Sequence, residues 1–317
     1  MSIKILEKIF SVKNCTDKLH KILTILGIKL NIRKPYPPII IPYKKIRMVE
    51  VEIFSFCNRR CWFCPNSFID RHSENILMDT DIYTKVLKDL QTIDYSGIIS
   101  YSRYNEPFSH LDIFIERLNE ARSLLPKALL HTNTNGDYIT RESLDAVYDA
   151  GLRSLNIQCY LRQNEPFDTE NIKNRIKIVA NKLDLKYTET CCNPYYYSVS
   201  FTYKDMCLNM YARDFNYTGN NRAGSLKTIK PSIRNVPCYV PFTDIYIDHN
   251  GLIVPCCNFR SDIEKHKYFI MGDLNKNSIL EIFNNKNYKR LRKILRAKNI
   301  TLYPCNECNF ALEHNYK

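Results

Sequence analysis

No stretch of this 317-residue chain reaches eighteen consecutive apolar residues, which excludes a membrane-spanning helix of ordinary length. The opening Met-Ser-Ile-Lys-Ile-Leu-Glu-Lys lacks the apolar core and cleavage site of a secretory signal. Internal repeats and low-complexity tracts are absent, and so is an RNP-type motif or a separate RNA-binding module. Acidic residues are few: 33 Asp and Glu stand against 46 Lys and Arg, for a formal charge of +13. That excess favours anionic partners such as phosphorylated sugars, nucleotide-activated substrates, acidic lipid headgroups or RNA. Scattered surface lysine accounts for it equally well. With 44% apolar and 25% charged residues the composition is that of an ordinary globular protein, long enough for one large domain and a small one. What is abundant is cysteine, thirteen in all. Disulfide frameworks belong to small secreted domains, and this chain is neither small nor preceded by a signal, so reduced metal ligands in a cytoplasmic protein are the better reading.

Three cysteines stand together in Phe54-Ser-Phe-Cys57-Asn-Arg-Arg-Cys61-Trp-Phe-Cys64-Pro65-Asn66, a Cys-x3-Cys-x2-Cys arrangement. They follow an alternating run, Val49-Glu-Val-Glu-Ile53, that reads as a strand. Thiolates this close can each take a corner of a cubane cluster, and a fully ligated [4Fe–4S] cluster needs four. Three with no near fourth leave one iron open, as on a catalytic zinc. Three incidental cysteines would not explain their place where a strand ends, the usual position of an active-site loop in α/β folds.

These residues resemble the signature of the radical S-adenosylmethionine (SAM) enzymes, with Trp62-Phe63 in the place of that superfamily's usual aromatic. The resemblance implies that the open iron chelates the amino and carboxylate groups of SAM. It also implies reductive cleavage to a 5′-deoxyadenosyl radical that abstracts hydrogen from a substrate, with an external one-electron reductant of the flavodoxin or ferredoxin type. Clusters with their thiolates are net anions, so two would offset about three of the positive charges.

The chain divides by pattern into a basic extension (1–45), a core (46–235) and a C-terminal domain (236–317). Within the extension, residues 18–34 mix aliphatics with lysines before Pro35, Pro37, Pro38 and Pro42. A hairpin or helix on the main domain is the favoured reading; a basic amphipathic segment at a membrane surface is the alternative. The phrases Phe10-Ser-Val-Lys-Asn and Leu26-Gly-Ile-Lys-Leu are similar to short segments of bacterial surface-polysaccharide enzymes. In the core, strands at 47–56, 97–101, 128–133 and 155–160 alternate with helices at 80–93, 111–125, 140–150 and 170–183. Segments 195–203 and 206–215 are aromatic-rich without clear period. The fold class is therefore α/β, and the resemblance implies a partial (β/α)6 barrel with its chemistry at the strand ends.

Each strand end carries candidates. After the second comes Tyr104-Asn105-Glu106-Pro107, where the family has Gly-Gly-Glu-Pro; the resemblance assigns Glu106 to the SAM amino group. Asparagine tolerates the left-handed backbone of a tight loop, whereas tyrosine does not. His131-Thr-Asn133-Thr-Asn135-Gly136 is similar to the family's Thr-Asn-Gly turn near the SAM ribose, giving Asn133 and Asn135. From Ser154 to Tyr160 even positions are polar and odd ones apolar, so one face lines a cavity or a solvated edge. Gln158 occupies the place of a family SAM contact; Gln158, Tyr160 and Asn156 are pocket candidates, and Cys159 falls on the apolar face.

A second constellation begins at Cys238, with Gly251, Cys256 and then Cys305-Asn-Glu-Cys308. Ile245, Ile247, Leu252 and Val254 flank Asn250-Gly251, a hairpin signal that lets Cys238 and Cys256 meet. Residues 278–297 read as one basic helix. Four such cysteines suit zinc, but Cys-x9–15-Gly-x4-Cys with Gly272-Asp-Leu and Ser278-Ile-Leu-Glu-Ile-Phe resembles the SPASM/twitch extension of radical SAM enzymes. A full SPASM domain would continue where His314 stands, so the resemblance implies one auxiliary [4Fe–4S] cluster on Cys238, Cys256, Cys305 and Cys308. Cys257 is an alternative to Cys256. Cys15, Cys159, Cys191, Cys192 and Cys207 read as small buried residues.

The expected function is two-electron oxidation of a small, anionic or carbohydrate-like substrate such as an aminocyclitol, in surface-polysaccharide assembly. An electron sink is built into the second domain. Epimerisation of a sugar or peptide, which needs a thiol donor such as Cys159, Cys191 or Cys192, is the alternative. RNA modification and bare electron transfer are the readings from other classes.

Overall fold

The computed structural model describes residues 10–14, 20–26, 28–33 and 40–310; Cys15 and His314 lie outside them. It divides into two units, residues 1–40 and 41–317. In the first, β1 (Phe10–Asn14), β2 (His20–Ile25) and β3 (Ile28–Arg33) form an antiparallel sheet in chain order. Among the described residues no helix is long and apolar enough to cross a membrane.

The second unit is built on one ten-stranded sheet. Its strands are β4 (Met48–Val51), β5 (Ile98–Ser100), β6 (Leu129–Thr134), β7 (Ser154–Gln158), β8 (Tyr187–Asn193), β9 (Tyr196–Phe201), β10 (Cys207–Arg213), β11 (Asp244–Ile247), β12 (Leu252–Val254) and β13 (Gly272–Asp273). The order is β13-β12-β11-β4-β5-β6-β7-β10-β9-β8, and the six central strands from β11 to β10 are parallel. Antiparallel pairs flank them on both sides, β12–β13 and β9–β8. This is a partial barrel, with β11 drawn from the segment that also carries the second cysteine set.

Local chemistry explains the elements. Asp79 caps helix Thr80–Gln91 by accepting from Asp81 N and Ile82 N at 2.8 and 3.2 Å, and Tyr83, Val86, Leu87 and Leu90 are its buried face. Helices Leu111–Leu124, Arg141–Asp149 and Thr169–Leu183 follow in the expected places. Val49, Ile99, Leu130, Leu155 and Ile157 close the core between sheet and helices, each at most 1% exposed. At the Asn250-Gly251 turn Gly251 takes φ +78°, and Tyr246 pairs with Val254 across the hairpin.

Three expectations need correction. The segments without clear period are β9 and β10, whose partner strands dictate their register. The single helix over 278–297 is two, Ile279–Phe283 and Lys286–Leu295. Asn285 Oδ1 caps the second by accepting from Tyr288 N at 3.0 Å, and Asn284 Oδ1 accepts from Ile41 N at 3.0 Å. Cys191, Cys192 and Cys207 are not buried. Cys192 and Cys207 are exposed and Cys191 half-buried, because β8 lies at the sheet edge and Cys207 begins its strand; Cys159 is buried.

Candidate active site

At the C-terminal ends of the parallel strands the chain encloses a cavity of about 200 Å³. It is lined by Cys57, Cys61 and Cys64, by Glu106, Asn133, Asn135, Gln158 and Tyr160, and by Asn105 beside Glu106. Two sequence candidates lie elsewhere. Asn156 faces a neighbouring groove and donates to Asn133 Oδ1 at 3.1 Å, and Cys159 is buried on the other face of β7.

The cysteine loop is held from both sides. Cys57 N donates to Arg71 O at 3.1 Å, Cys64 N to Cys61 O at 2.9 Å, and a 3-10 turn at Pro65–Ser67 follows. Asp137 accepts from Asn58 Nδ2 and Arg59 Nε, each at 2.7 Å, and Asn135 Nδ2 reaches Asn58 Oδ1 at 2.7 Å. Gly136, at φ +81°, makes the turn that permits this tie. Glu106, only 2% exposed, accepts from Thr134 Oγ1 at 2.6 Å, Asn135 N at 2.7 Å and Phe108 N at 3.2 Å. Burial nevertheless pushes its carboxyl up to about 7. Neither Tyr104 nor Asn105 adopts a left-handed backbone, so this loop passes without the glycines it lacks. Tyr104 instead turns its ring into the protein, and its hydroxyl donates to the Cys257 carbonyl at 2.6 Å.

The other wall holds residues that the sequence reading missed. Glu50, whose side chain is 13% exposed, lies 3.5 Å from Arg103 and is pushed up to about 7 by burial, against the pull of that guanidinium. Its signal was present in the Val-Glu-Val-Glu alternation, the same polar-face argument applied to β7. Arg103 is clamped by Asp248 at 2.6 Å and by Phe259 O at 2.8 Å. Arg213 and Arg222 also line the cavity, and among the described residues neither forms an ion pair. Arg213 lies 4.3 Å over Phe215, which stacks on Phe63 at 3.4 Å. Arg222 donates to Asn258 Oδ1 at 3.3 Å, and its backbone opens three consecutive left-handed residues, with φ +47°, +51° and +72° at Arg222, Ala223 and Gly224. No sequence signal marked either arginine.

A second, apolar cavity is lined by Cys238, Cys256, Cys305 and Cys308, while Cys257 faces the first. Asn258 links the two: it accepts from Arg222 and donates to Cys308 Sγ at 3.7 Å, and Phe310 N reaches the same sulfur at 3.4 Å. Burial first, then neighbouring thiols, pushes Cys61 and Cys305 up to about 12 and Cys57 up to about 11. Such thiols are poor isolated anions but suitable ligands once iron supplies the positive charge. Among the described residues no three His, Cys, Asp or Glu side chains converge on a single-ion site. Asn105, 8% exposed and on the wall of the first cavity, has neither amide atom bonded, an unmet demand beside Glu106. Both donor sets thus fit the implied groups.

Comparison with known proteins agrees with this geometry. The family model described as the radical SAM superfamily matches residues 51–159, and that of the SPASM iron–sulfur cluster-binding domain matches 238–309. The S-adenosyl-L-methionine-dependent 2-deoxy-scyllo-inosamine dehydrogenase of Niallia circulans is 27% identical over 280 residues, 86% of this chain and 98% of that protein. Among solved structures, BtrN in complex with AdoMet and 2-DOIA superposes with TM-score 0.61 at 22% identity, covering 84% of this chain and 94% of that one. BtrN in an open conformation gives 0.54 at 21%, covering 83% and 92%.

Proposed function

We propose that this chain, which belongs to the radical SAM superfamily and carries a SPASM iron–sulfur domain behind its core, dehydrogenates a small hydroxylated ring compound. The substrate is aminocyclitol-like or carbohydrate-like. Its cofactors are SAM and two [4Fe–4S] clusters, one on Cys57, Cys61 and Cys64 and one on Cys238, Cys256, Cys305 and Cys308. When bound, SAM on the first supplies a hydrogen-abstracting radical and the second supplies an acceptor for one electron.

The chain's own residues supply the rest. Oxidising an alcohol carbon also removes the hydroxyl proton, and Glu50 is the acceptor for it, a cavity-wall carboxyl poised near neutrality. Arg103, fixed by Asp248, favours the ionised form of Glu50 against the burial that opposes it, and holds its position. The guanidiniums of Arg213 and Arg222 offer donors to hydroxyl or anionic oxygens. Glu106, Asn105, Asn133, Asn135 and Gln158 form the side assigned to SAM. The observation that carries this reading is the adjacency of the cavities: Arg222 and Cys257 line the polar one, and their chain neighbours Ala223 and Cys256 line the four-thiol one. Such a separation suits removal of an electron from a substrate in the first. The reductant is a low-potential one-electron donor, and the compartment is the cytoplasm.

Anaerobic incubation with SAM, a reductant and 2-deoxy-scyllo-inosamine, alongside other cyclitols and nucleotide sugars, tests it by mass spectrometry. A product lighter by two hydrogens, formed together with 5′-deoxyadenosine, is expected. Formation of 5′-deoxyadenosine that no hydroxylated ring accelerates would refute the substrate class.

A further inference from the structure

We propose that Cys257 is a hydrogen-atom donor in this cavity, so that the site can also return hydrogen to a substrate carbon and invert its configuration. The inference goes beyond dehydrogenation and rests on the reading above only in requiring that a carbon radical form there. Adjacent cysteines divide between two spaces: Cys256 joins Cys238, Cys305 and Cys308, whereas Cys257 lines the cavity of Cys57, Cys61 and Cys64. Tyr104 Oη, donating to the Cys257 carbonyl at 2.6 Å, pins the turn that makes this division. The four-thiol set is complete without Cys257, which leaves its thiol unassigned.

The cavity it faces is marked as a ligand site by Cys57, Cys61 and Cys64 on its wall, within the segment that the radical SAM family model matches. Among the described residues, Cys159, Cys191, Cys192 and Cys207 do not line this cavity, so Cys257 is the thiol placed to meet a substrate. An ordinary thiol keeps its proton at neutral pH, and its S–H bond is weaker than the C–H bond of an alcohol carbon.

The step balances. The S–H bond of Cys257 breaks homolytically and a C–H bond forms at the substrate radical, on the face opposite the one that lost hydrogen. The sulfur radical then takes one electron from the low-potential donor that SAM cleavage already requires, and a proton from water, and is a thiol again. The substrate leaves with unchanged formula and inverted configuration. Glu50 and Cys257 thus offer one radical two exits.

The test has an arm without turnover and an arm with it. In cluster-loaded wild-type protein, peptide mapping after brief N-ethylmaleimide treatment should show Cys257 alkylated, and S-adenosylhomocysteine should suppress the adduct. Cys257→Ser should keep the iron content of wild type. Loss of one cluster's iron, or a thiol inert with and without that ligand, would place Cys257 on the auxiliary cluster and overturn the proposal. The second arm is turnover in deuterated water with 2-deoxy-scyllo-inosamine. Carbon-bound deuterium is expected in an epimerised cyclitol from wild type and from Cys192→Ser, and its loss in Cys257→Ser. Ketone and 5′-deoxyadenosine without any such deuterium would overturn the donor and leave the dehydrogenase standing. Absence of 5′-deoxyadenosine would instead defeat the dehydrogenase reading for this compound, with the alkylation arm still deciding the place of Cys257.

Discussion

Glu50 on β4 and Glu52 just beyond its end meet opposite fates, and the difference is what each faces. Glu50 faces the cavity, where burial pushes its carboxyl up to about 7 and Arg103 at 3.5 Å only partly restores it. Glu52, fully buried, would also be raised by desolvation, but Arg71 at 3.4 Å and His249 at 2.8 Å outweigh that and hold it well below the carboxylate range. Environments that separate two like groups mark the one kept for proton transfer. As a proton acceptor Glu50 must be ionised, so turnover should rise with pH through about 7. Glu50→Gln should lower kcat by roughly 10²–10⁴-fold and flatten that limb, measured as ketone formation against pH. Stability has the reverse sign. The folded chain holds a proton on Glu50 that the unfolded chain has released between about 4.5 and 7, so stability falls as pH rises across that window. The fall in urea midpoint from pH 5 to pH 8 should shrink in Glu50→Gln, with the share that comes from Glu106 retained. Arg222 carries the second expectation at this scale. A non-glycine residue at φ +47° stores about 1–3 kcal/mol, held by its surroundings. Arg222→Gly relieves that strain and should therefore not lower the unfolding midpoint while raising KM for substrate; a lowered midpoint with unchanged KM would make the arginine purely structural. That Cys57, Cys61 and Cys64 share one cavity was legible because short spacing alone restricts it. Glu50 was legible too, by alternation. The side taken by Cys257 was not, because adjacent residues of a turn diverge only once tertiary contacts such as Tyr104 fix it.

At the scale of elements, what could be read depended on whether an element's neighbours are local. The alternating core strands and their helices carry both period and caps, with Asp79 and Thr140 capping two of the helices. β8 to β10 do not, because an antiparallel edge takes its register from partners: Tyr196 lies opposite Arg213 and Tyr197 opposite Ala212, contacts without a short-range signal. The C-terminal helix pair shows the same limit. Its break at Asn284 and Asn285 is fixed by Arg292, which donates to Pro241 O at 2.8 Å and Asn284 Oδ1 at 3.2 Å and lies 4.2 Å over Phe283. This buried cation, drawn down to about 10 by desolvation, ties the helices to the turn that follows Cys238. Arg292→Met should leave the Pro241 carbonyl unsatisfied and cost about 1–3 kcal/mol in urea unfolding. It should also release auxiliary iron to a chelator faster than wild type, with iron of the first cluster retained. Equal release from both clusters would mean that the helix pair stabilises the whole sheet rather than the second site.

Over the whole molecule, the two cysteine sets are separate in sequence yet share one sheet. β11 pairs in parallel with β4, Ile245 beside Val49, and β4 is the strand that leads into the cysteine loop. The core and the auxiliary domain are thus joined at their hydrogen bonds, not merely appended. Two kinds of removal should consequently differ. Replacing Cys305 and Cys308 by Ala takes away ligands but leaves β11 in place, so the protein should fold, keep one cluster's iron and still cleave SAM without coupled ketone formation. Replacing Cys57, Cys61 and Cys64 by Ala should also leave one cluster's iron but abolish 5′-deoxyadenosine. Ending the chain before Cys238 removes β11 to β13 and strips β4 of one of its two partners, leaving an unpaired edge that carries Val49 and Val51. That truncated chain should aggregate or lose iron at the first site as well, although it retains all three of its cysteines. A soluble truncated protein that binds one cluster and cleaves SAM at the rate of the Cys305→Ala, Cys308→Ala variant would show that the shared sheet is dispensable. The two sites would then be coupled through their cavities alone, at the turn of Cys256 and Cys257.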